Sequence, residues 1–283
     1  MRTTADSKPI RRRPDISSLL GLGLAIFGVM GGLMLEGGRF GDVAQLTAAM
    51  IVLGGTAGAV MVTTPFGTLS AALRALPSVF SEHTRGPDAM IDEILALATK
   101  ARKGGLVSLE NDALQIADPF LKKALLLCVD GADLQDVRQM MELELDLIER
   151  RGEAEAKVFE AAAGFAPTIG IIGAVLGLIQ VMKHLEDIDA VGHGIAVAFV
   201  ATVYGVSLAN LMLLPAANKL KARLHQNVEL KELMLEGTLA IAEGLNPKLI
   251  SIKLDPYRNA HPSAKRTGNR RVEPISARSA NVA

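Results

Sequence analysis

The sequence contains no Trp, a single cysteine and few aromatic residues, which make up 4% of its 283 residues. One cysteine, Cys128, excludes an internal disulfide framework and any metal site built from several cysteines. The formal net charge is zero, so the chain as a whole offers no electrostatic argument for binding nucleic acid. Hydrophobic residues nevertheless make up 49% of the chain. This combination is typical of a membrane protein rather than of a soluble protein of this size.

Charge is also absent from four long segments of the chain. No Asp, Glu, Lys or Arg occurs in residues 16–35, 43–73, 161–182 and 191–218. A helix needs about 20 apolar residues to cross about 30 Å of hydrocarbon, and each segment is long enough. A buried core helix explains one such segment but not four. The sequence therefore predicts an all-α integral membrane protein with four transmembrane helices and a large helical cytoplasmic domain between spans two and three.

Small residues recur along the faces of these spans. Two glycines lie four residues apart in three spans, as Gly28/Gly32, Gly54/Gly58 and Gly173/Gly177. Span four carries two similar strips, one of Gly194, Ala198 and Thr202 and the next of Ala201, Gly205 and Ala209. Small residues at this spacing let membrane helices approach closely. The faces indicate tight helix association, either within one chain or between copies.

Basic residues lie at the two ends of the transmembrane part. Lys219, Lys221 and Arg223 follow span four, and five basic residues precede span one. The short loops between spans one and two and between spans three and four are mainly acidic. The positive-inside rule then places both termini in the cytoplasm and the two short loops outside.

The order of these segments divides the chain into six parts. They are a cytoplasmic N-terminus (1–15), spans one and two (16–65), a cytoplasmic helical domain (66–160), spans three and four (161–216), a cytoplasmic C-terminal helix (217–254) and a polar tail expected to be disordered (255–283).

Helical patterns run through the predicted cytoplasmic domain. Residues 87–103 form an amphipathic helix, Ser108 is expected to cap a short second helix, and residues 132–165 form a long helix that continues into span three. Residues 66–80 form an amphipathic helix that lies along the inner membrane surface or packs on the cytoplasmic domain.

The absence of carboxylates from the spans limits what the chain does by itself. A transporter or pump that moves ions alone needs such a group within the membrane. The chain is therefore either a passive scaffold or a wall around a carboxylate that a partner supplies. The polar side chains suited to the second role are Thr168, Thr202, Tyr204, Ser207 and Asn210. For each Ser or Thr, the alternative is a hydrogen bond to a carbonyl of its own helix.

Pro167 and Thr168 stand side by side in the uncharged stretch GFAPTIGIIGAVLGLIQVM. If the long helix continues into span three, Pro167 removes the hydrogen bond to the Ala163 carbonyl and kinks the helix. Pro215 has a similar place near the inner end of span four. From the residues alone, a kink that serves packing and a kink that serves function are equally open.

Three stretches together resemble the MotA/PomA family of flagellar stator subunits. They are GFAPTIGIIGAVLGLIQVM, GIAVAFVATVYGVSLANLMLLPAANKL and ARKGGLVSLENDALQIADPFLKKALLLCVDG. The resemblance extends from about residue 16 to about residue 243 and includes the four spans, the short outer loops and the cytoplasmic insert. The spans alone also resemble the ExbB/TolQ relatives, but those have three spans and an outside N-terminus.

The resemblance implies a non-enzymatic, multi-pass subunit of the bacterial inner membrane. With a MotB-type partner, which has one span and binds peptidoglycan, it would form an ion channel, for protons in the leading interpretation, and drive the rotor protein FliG. The resemblance also implies a pentameric ring and no cofactor beyond the transported H⁺ or Na⁺; nucleic acid is not an expected partner. The alternative is an ExbB/TolQ-like proton-driven motor that energises outer-membrane transport or envelope integrity.

The resemblance further assigns a rotor contact to three charged residues. The basic and acidic residues that transmit torque in the family fall on Arg102 and Glu110, and Lys103 adjoins the first. Gly104 and Gly105 separate them, so the opposite charges need not share a helix. The alternative is an ordinary solvated charged surface.

Four residues of the spans receive roles by the same resemblance. The two mechanically important prolines of the family fall on Pro167 and Pro215, which are expected to couple conformational changes. The hydroxyl that lines the ion path falls on Thr202, with Thr168 beside the first proline. A hydroxyl suits either a proton path or Na⁺, so the coupling ion stays open. His193 is expected at the outer membrane boundary and receives no role.

Overall fold

The computed structural model of the chain describes residues 13–82 and 86–260. It is almost entirely helical, and the all-α prediction is confirmed. Two strands of two residues each, β1 (Arg13–Pro14) and β2 (Ser81–Glu82), add a short antiparallel pairing in which Arg13 lies opposite Glu82. Most of the predicted N-terminal segment 1–15 and of the tail 255–283 lies outside the described residues.

The four predicted spans are present as helices that are long and apolar enough to cross a membrane. The first and third are α1 (Ile16–Leu35) and the second half of α9 (Leu134–Lys183). The second follows a short helix α2 (Phe40–Val43) and consists of α3 (Leu46–Ala49), a π-helical turn (Met50–Gly54) and α4 (Gly55–Thr63). The fourth comprises α10 (Ile188–Ser207), a second π-helical turn (Leu208–Leu213) and the start of α11 (Leu214–Ala242).

Shorter helices make up the rest of the described chain. They are α5 (Phe66–Val79), α6 (Pro87–Gly104), a 3₁₀ turn (Leu106–Leu109), α7 (Glu110–Gln115), α8 (Pro119–Val129) and α12 (Pro247–Ala260). The predicted capping role of Ser108 is wrong, because its hydroxyl donates to the Gly105 carbonyl at 2.7 Å instead.

Two further predictions about helix extent have different outcomes. The continuous helix through Pro167 is confirmed, since α9 runs for 50 residues without interruption. The disordered tail predicted from residue 255 begins too early, because α12 extends to Ala260. The fully buried Leu254 anchors this helix, and Arg258 pairs with Asp88 at 2.9 Å.

The chain forms two compact units, each assembled from two separate segments. Within the described residues, the first unit comprises residues 13–82 and 142–228, and the second comprises residues 86–141 and 229–260. The boundaries predicted at residues 66 and 160 refer to the membrane surface and stay predictions.

One cluster of buried apolar residues joins four helices of the first unit. Val60 of α4, Ala72 and Val79 of α5, Phe159 of α9 and Ala217 of α11 belong to one cluster. The amphipathic helix α5 thus packs on helices of its own unit. In contrast, α1, all of whose residues are described, has no buried residue.

The apolar core of the second unit is built from larger side chains than that of the first. Its largest fully buried side chains include Ile94, Phe120, Leu125 and Met234. Gly237 lets α11 approach α6, because a Cβ there would lie 2.7 Å from a methyl group of Ile94.

Cys128 is also buried, as the sequence suggested, and burial raises the pKa of its thiol to about 11. A thiol that stays protonated at neutral pH is a packing residue rather than a nucleophile.

Candidate functional site

The membrane part of α9 packs directly against α10 along a line of small residues, which we call the glycine seam (Gly170, Gly173, Gly177, Gly194 and Gly205). A Cβ on Gly205 would lie 2.5 Å from the carbonyl oxygen of Ala166, and one on Gly177 would lie 2.8 Å from the backbone nitrogen of Ala198. The two backbones therefore touch, and the seam leaves no room for a side chain.

The glycine spacing predicted the seam only in part. Gly173 and Gly177 lie in it, and Gly55 of α4 packs on Ile169 of α9. For Gly28, Gly32, Gly54 and Gly58, a Cβ would meet no atom of the described residues within 4 Å. These two pairs therefore mediate no close approach within this chain.

Thr202 lies at the glycine seam. Its Cα is 3.4 Å from the position of a Cβ on Gly170. Its half-buried hydroxyl donates to the Ala198 carbonyl at 3.2 Å. The hydroxyl proton is thus used within the helix, while the oxygen keeps lone pairs that can accept a hydrogen bond from water or bind a cation.

Thr168, a residue of α9, also forms a hydrogen bond with its own helix. Its exposed hydroxyl donates to the Phe165 carbonyl at 2.8 Å. The structure therefore has the hydrogen bond to the residue's own helix that was the alternative for both threonines. That bond is compatible with the proposed role, because an ion path needs the acceptor side of the oxygen and not its proton.

Pro167 lies inside α9, next to one end of the glycine seam. Its neighbour Ala166 is fully buried and its carbonyl meets Gly205. Ala163, whose carbonyl loses its usual donor at Pro167, is buried with Ala166 and Ala209. The backbone that the proline weakens is therefore the backbone that contacts α10.

Pro215 follows the π-helical turn of Leu208–Leu213 and is exposed. A proline lacks the backbone donor that a regular α-helix requires. Turns of π-helix insert one residue into an α-helix and occur often at functional sites. The sequence did not predict this turn, and the only signal for it was the proline that follows it.

Two other polar residues of span four form hydrogen bonds with backbone groups. Tyr204 donates to the Val43 carbonyl and accepts from the backbone of Gln45 at 3.3 Å. It therefore fixes the irregular segment between α2 and α3. The amide of Asn210 donates to the Val206 carbonyl of its own helix at 2.9 Å.

Arg102, Lys103 and Glu110 lie on both sides of one sharp turn in the second unit. Arg102 and Lys103 occupy the last turn of α6, and Glu110 begins α7. The turn between them requires Gly105, whose φ is +76° and lies in the region that glycine favours. The opposite charges are therefore carried by different helices, as the two separating glycines allowed.

These three residues are exposed and form no ion pair with other described residues. The neighbouring Lys100 and Asp112 pair with each other across the same turn. One pair thus braces α6 against α7 while three charges remain available to a partner. Exposed charges of this kind are also compatible with a plain solvated surface.

A buried carboxylate forms a further polar cluster that the sequence did not reveal. Asp15 accepts from Lys219 at 2.6 Å and from Arg223 at 2.9 Å, and its side chain caps α1 by accepting from Ser18 N. Arg223 also donates to the Ser78 carbonyl. The hydrogen bond from Lys219, followed by the one from Ser17, holds the pKa of Asp15 well below its usual range.

This Asp15 cluster lies just before span one and just after span four. The one sequence signal for it was an Asp placed directly before an apolar helix, which is a common capping residue. Its two cationic partners are more than 200 residues away in the chain, and Arg223 is 208 positions from Asp15. Local sequence patterns therefore do not indicate them. Among the described residues, no group of three or more His, Cys, Asp or Glu side chains is placed to hold a metal ion.

Comparison with known families matches nearly the whole described chain. Residues 19–105 match the model "Motility protein A N-terminal", and residues 112–233 match the model "MotA/TolQ/ExbB proton channel family".

Individual relatives are similar over most of their length. Motility protein A of Bacillus subtilis is 36% identical over 247 residues, which cover 86% of this chain and 90% of that protein. Chemotaxis protein PomA of Vibrio alginolyticus is 34% identical over 246 residues, covering 87% and 96%.

Two solved assemblies contain chains of the same fold. The structure of C. jejuni MotAB has a chain that matches with a TM-score of 0.82 and 32% identity, covering 86% of this chain and 95% of that one. The flagellar MotAB stator complex of Bacillus subtilis matches with a TM-score of 0.79 and 35% identity, covering 85% and 95%.

Proposed function

Because this chain belongs to the MotA/TolQ/ExbB proton channel family, we propose that it is a flagellar stator subunit, which with a MotB-type partner forms a proton channel and converts the ion-motive force into torque on the rotor. The observation that carries the proposal is the glycine seam. It forms a wall of two touching helices that contains no carboxylate of its own and has Thr202 beside the contact. Two solved structures that are similar to this chain are MotAB complexes.

The partner supplies the titratable group in this proposal. A MotB-type span carries a carboxylate, which binds a proton from outside and releases it to the cytoplasm. Each charge that crosses 100 mV yields about 2.3 kcal/mol. The spans of this chain contribute an uncharged wall, which avoids a second fixed charge beside that carboxylate.

Thr202 and Thr168 line the ion path in this proposal. Both hydroxyls donate to their own helix, so each oxygen keeps lone pairs that can accept a hydrogen bond from water or bind a hydrated cation. Because a hydroxyl oxygen suits either a proton-carrying water or Na⁺, motility in sodium-free medium tests whether the coupling ion is H⁺, as proposed.

Pro167 and Pro215 couple the ion path to movement of the helices. Pro167 weakens the backbone of α9 where it touches α10, and Pro215 follows the π-helical turn in span four. A change in the charge of the partner's carboxylate acts on these two positions, where the helices are least constrained by their own hydrogen bonds.

Arg102, Lys103 and Glu110 contact the rotor protein FliG in this proposal. They project from one turn, carry both signs of charge and have no ion-pair partner among the described residues. Opposite charges on FliG would meet them transiently, which suits a contact that must form and break repeatedly because exposed ion pairs are weak.

The proposed assembly is a pentameric ring around the partner in the bacterial inner membrane, with both termini in the cytoplasm. The chain is a multi-pass membrane protein with four spans. The basic residues after span four support the orientation. Motor function without an enzymatic reaction or a cofactor remains the expectation for the chain.

The ExbB/TolQ-like alternative has less support. Two relatives with high coverage are a motility protein and a chemotaxis protein, and one family model describes the N-terminal part of motility protein A.

Deletion of the gene tests the proposed function. We expect the strain to assemble normal filaments but to stop swimming, and expression of this chain in trans to restore swimming. Loss of the filaments, or swimming that persists in a strain without a second set of stator genes, would contradict the proposal. A defect in siderophore uptake with normal swimming would favour the ExbB/TolQ-like alternative.

A further inference from the structure

A cavity lies between helix α1 and other helices of the first unit. The cavity has a volume of about 570 Å³, within the range of about 300–1,000 Å³ that is usual for ligand sites. On the α1 side it is lined by Ser18, Gly21, Leu22 and Ala25. This spacing of three and four residues marks a single face of the helix. Helix α1 has no buried residue and contacts the rest of the described chain mainly at the π-helical turn Leu208–Leu213, so much of that face stays uncovered.

The wall opposite α1 is almost entirely apolar. It includes Phe80, Phe159, Leu213 and Pro215, which come from the end of α5, from α9 and from span four. An apolar space beside membrane helices is not a favourable place for water, because water needs polar partners. The walls therefore suit a hydrocarbon chain.

One end of the cavity is positively charged. Lys219 lines the cavity there, and it belongs to the Asp15 cluster described above. Lys219 and Arg223 both contact the carboxylate of Asp15, and Lys219 is the one of the two that lines the cavity. Asp15 uses one of the three N–H donors of the Lys219 ammonium, and the side chain is 33% exposed. An anion can therefore reach it.

We propose that this cavity binds one acyl chain of an anionic phospholipid and that Lys219 binds the phosphate of its headgroup. The apolar walls and the single cation at one end match the two parts of such a lipid. The cation lies just beyond the uncharged part of span four, at the level expected for headgroups. The site is separate from the ion path, and the inference holds whether or not the chain drives rotation. An acyl chain there contacts Pro215 and so fills the space beside the π-helical turn.

Lipid binding can be measured on the full-length chain purified with its MotB-type partner. The complex is reconstituted in phosphatidylcholine nanodiscs that contain a trace of spin-labelled phosphatidylglycerol or spin-labelled phosphatidylcholine. Electron paramagnetic resonance then gives the motionally restricted fraction of each lipid. We expect the native complex to restrict phosphatidylglycerol more strongly than phosphatidylcholine.

The charge at the end of the cavity is tested by Lys219→Gln. It should lower the preference for phosphatidylglycerol about fivefold, as expected for the loss of one cation near a membrane surface. The matched control is Lys221→Gln, which removes the same charge two residues away, from a side chain paired with Glu160. It should leave the preference unchanged. If both variants lower the preference equally, the lipid is attracted by the overall positive potential of the protein and not by a defined site, and the proposal is wrong.

Two variants separate lipid binding from an effect on the Asp15 cluster. Lys219→Arg keeps the charge and should keep the preference. Ser18→Asp places a negative charge in the cavity wall without removing a member of the cluster, and should abolish the preference. A preference that survives Ser18→Asp would overturn the proposal even if Lys219→Gln fails to assemble.

The apolar part of the site is tested by Gly21→Leu. A Cβ at Gly21 meets no described atom within 4 Å, so the leucine can fill the cavity without a clash. It should reduce the restricted fraction of both lipids, whereas the control Gly28→Leu, on α1 but outside the cavity lining, should not. If Gly21→Leu instead breaks the assembly of the ring and leaves lipid binding unchanged, the cavity is filled by a second copy of the chain.

Discussion

The guanidinium of Arg223 donates to the carboxylate of Asp15 at 2.9 Å, although 208 positions separate the two residues. The bond joins the first residue before span one to the helix that continues span four. Asp15 is 9% exposed, so water screens the interaction weakly. Helix α1 buries none of its own residues, so span one is attached by this bond, by the adjacent one from Lys219 and by the backbone bond from Asp15 N–H to the Phe80 carbonyl at 2.9 Å.

Replacing Asp15 with Asn should therefore destabilise the assembled protein. The change keeps the size of the side chain but leaves two cations without their shared anion, at a cost of about 1–3 kcal/mol for a buried group that loses its partner. The thermal midpoint of the purified complex with its MotB-type partner measures the effect. Glu153→Gln is the control, because it removes a carboxylate from the exposed pair with Lys157 and should change little. Equal midpoints for Asp15→Asn and the native chain would show that the cluster is not an anchor.

The contribution of Asp15 should also depend on pH in one direction. Its partners lower its pKa from the ordinary value of 3.8. Stability from such a group is fully present above the ordinary value and is lost as pH falls toward the folded value. The difference in thermal midpoint between the native chain and Asp15→Asn should therefore be constant from neutral pH to about pH 5 and shrink below about pH 4. A difference that shrinks on raising the pH above neutrality would contradict this assignment.

Gly205→Ala should disrupt the contact between α9 and α10. The added Cβ would lie 2.5 Å from the Ala166 carbonyl oxygen, and the backbones must separate to admit it, at a cost of about 1–3 kcal/mol. We expect a lower thermal midpoint of the complex and slower swimming. Gly58→Ala is the matched control, because a Cβ there meets no described atom within 4 Å. Normal swimming and stability in Gly205→Ala would mean that the helices do not touch in the assembly.

Thr202→Val should stop ion flow while preserving the shape of the side chain, because it removes the acceptor oxygen from the proposed path. Thr202→Ser keeps the oxygen and should retain most of the flow. Thr63→Val is the control: the Thr63 hydroxyl also donates to its own helix, at 3.1 Å to Ala59, but no path is proposed there. Cytoplasmic acidification in cells that express the chain with its MotB-type partner measures the flow. Equal flow in Thr202→Val and the native chain would remove Thr202 from the path.

Arg102→Glu should reduce torque without affecting stability, because the side chain is exposed and has no ion-pair partner among the described residues. Each exposed pair contributes about 0–1 kcal/mol, so a partial loss of swimming speed is expected. A charge reversal on the rotor protein should restore part of it. Arg150→Glu is the control, on a side chain 79% exposed and away from the turn. If Arg102→Glu combined with Glu110→Lys swims normally, these charges do not contact the rotor.

The sequence by itself determined the class of the protein and its main segments. Four uncharged segments are enough to predict four spans, because the cost of charge in hydrocarbon acts on each segment separately. The continuous helix through Pro167 and the separation of Arg102 from Glu110 by two glycines were likewise visible, since helix continuity and turns depend on neighbouring residues.

Only the tertiary structure decided which of the candidate contacts form. The same glycine spacing occurs in three spans, yet it creates close contact in span three and faces away from the described chain at Gly28 and Gly58. The partners of Asp15, the π-helical turn before Pro215 and the cavity behind α1 were equally invisible. Each depends on the register and distance between helices that are far apart in the chain, and a pattern along one helix contains no information about the helix that it meets.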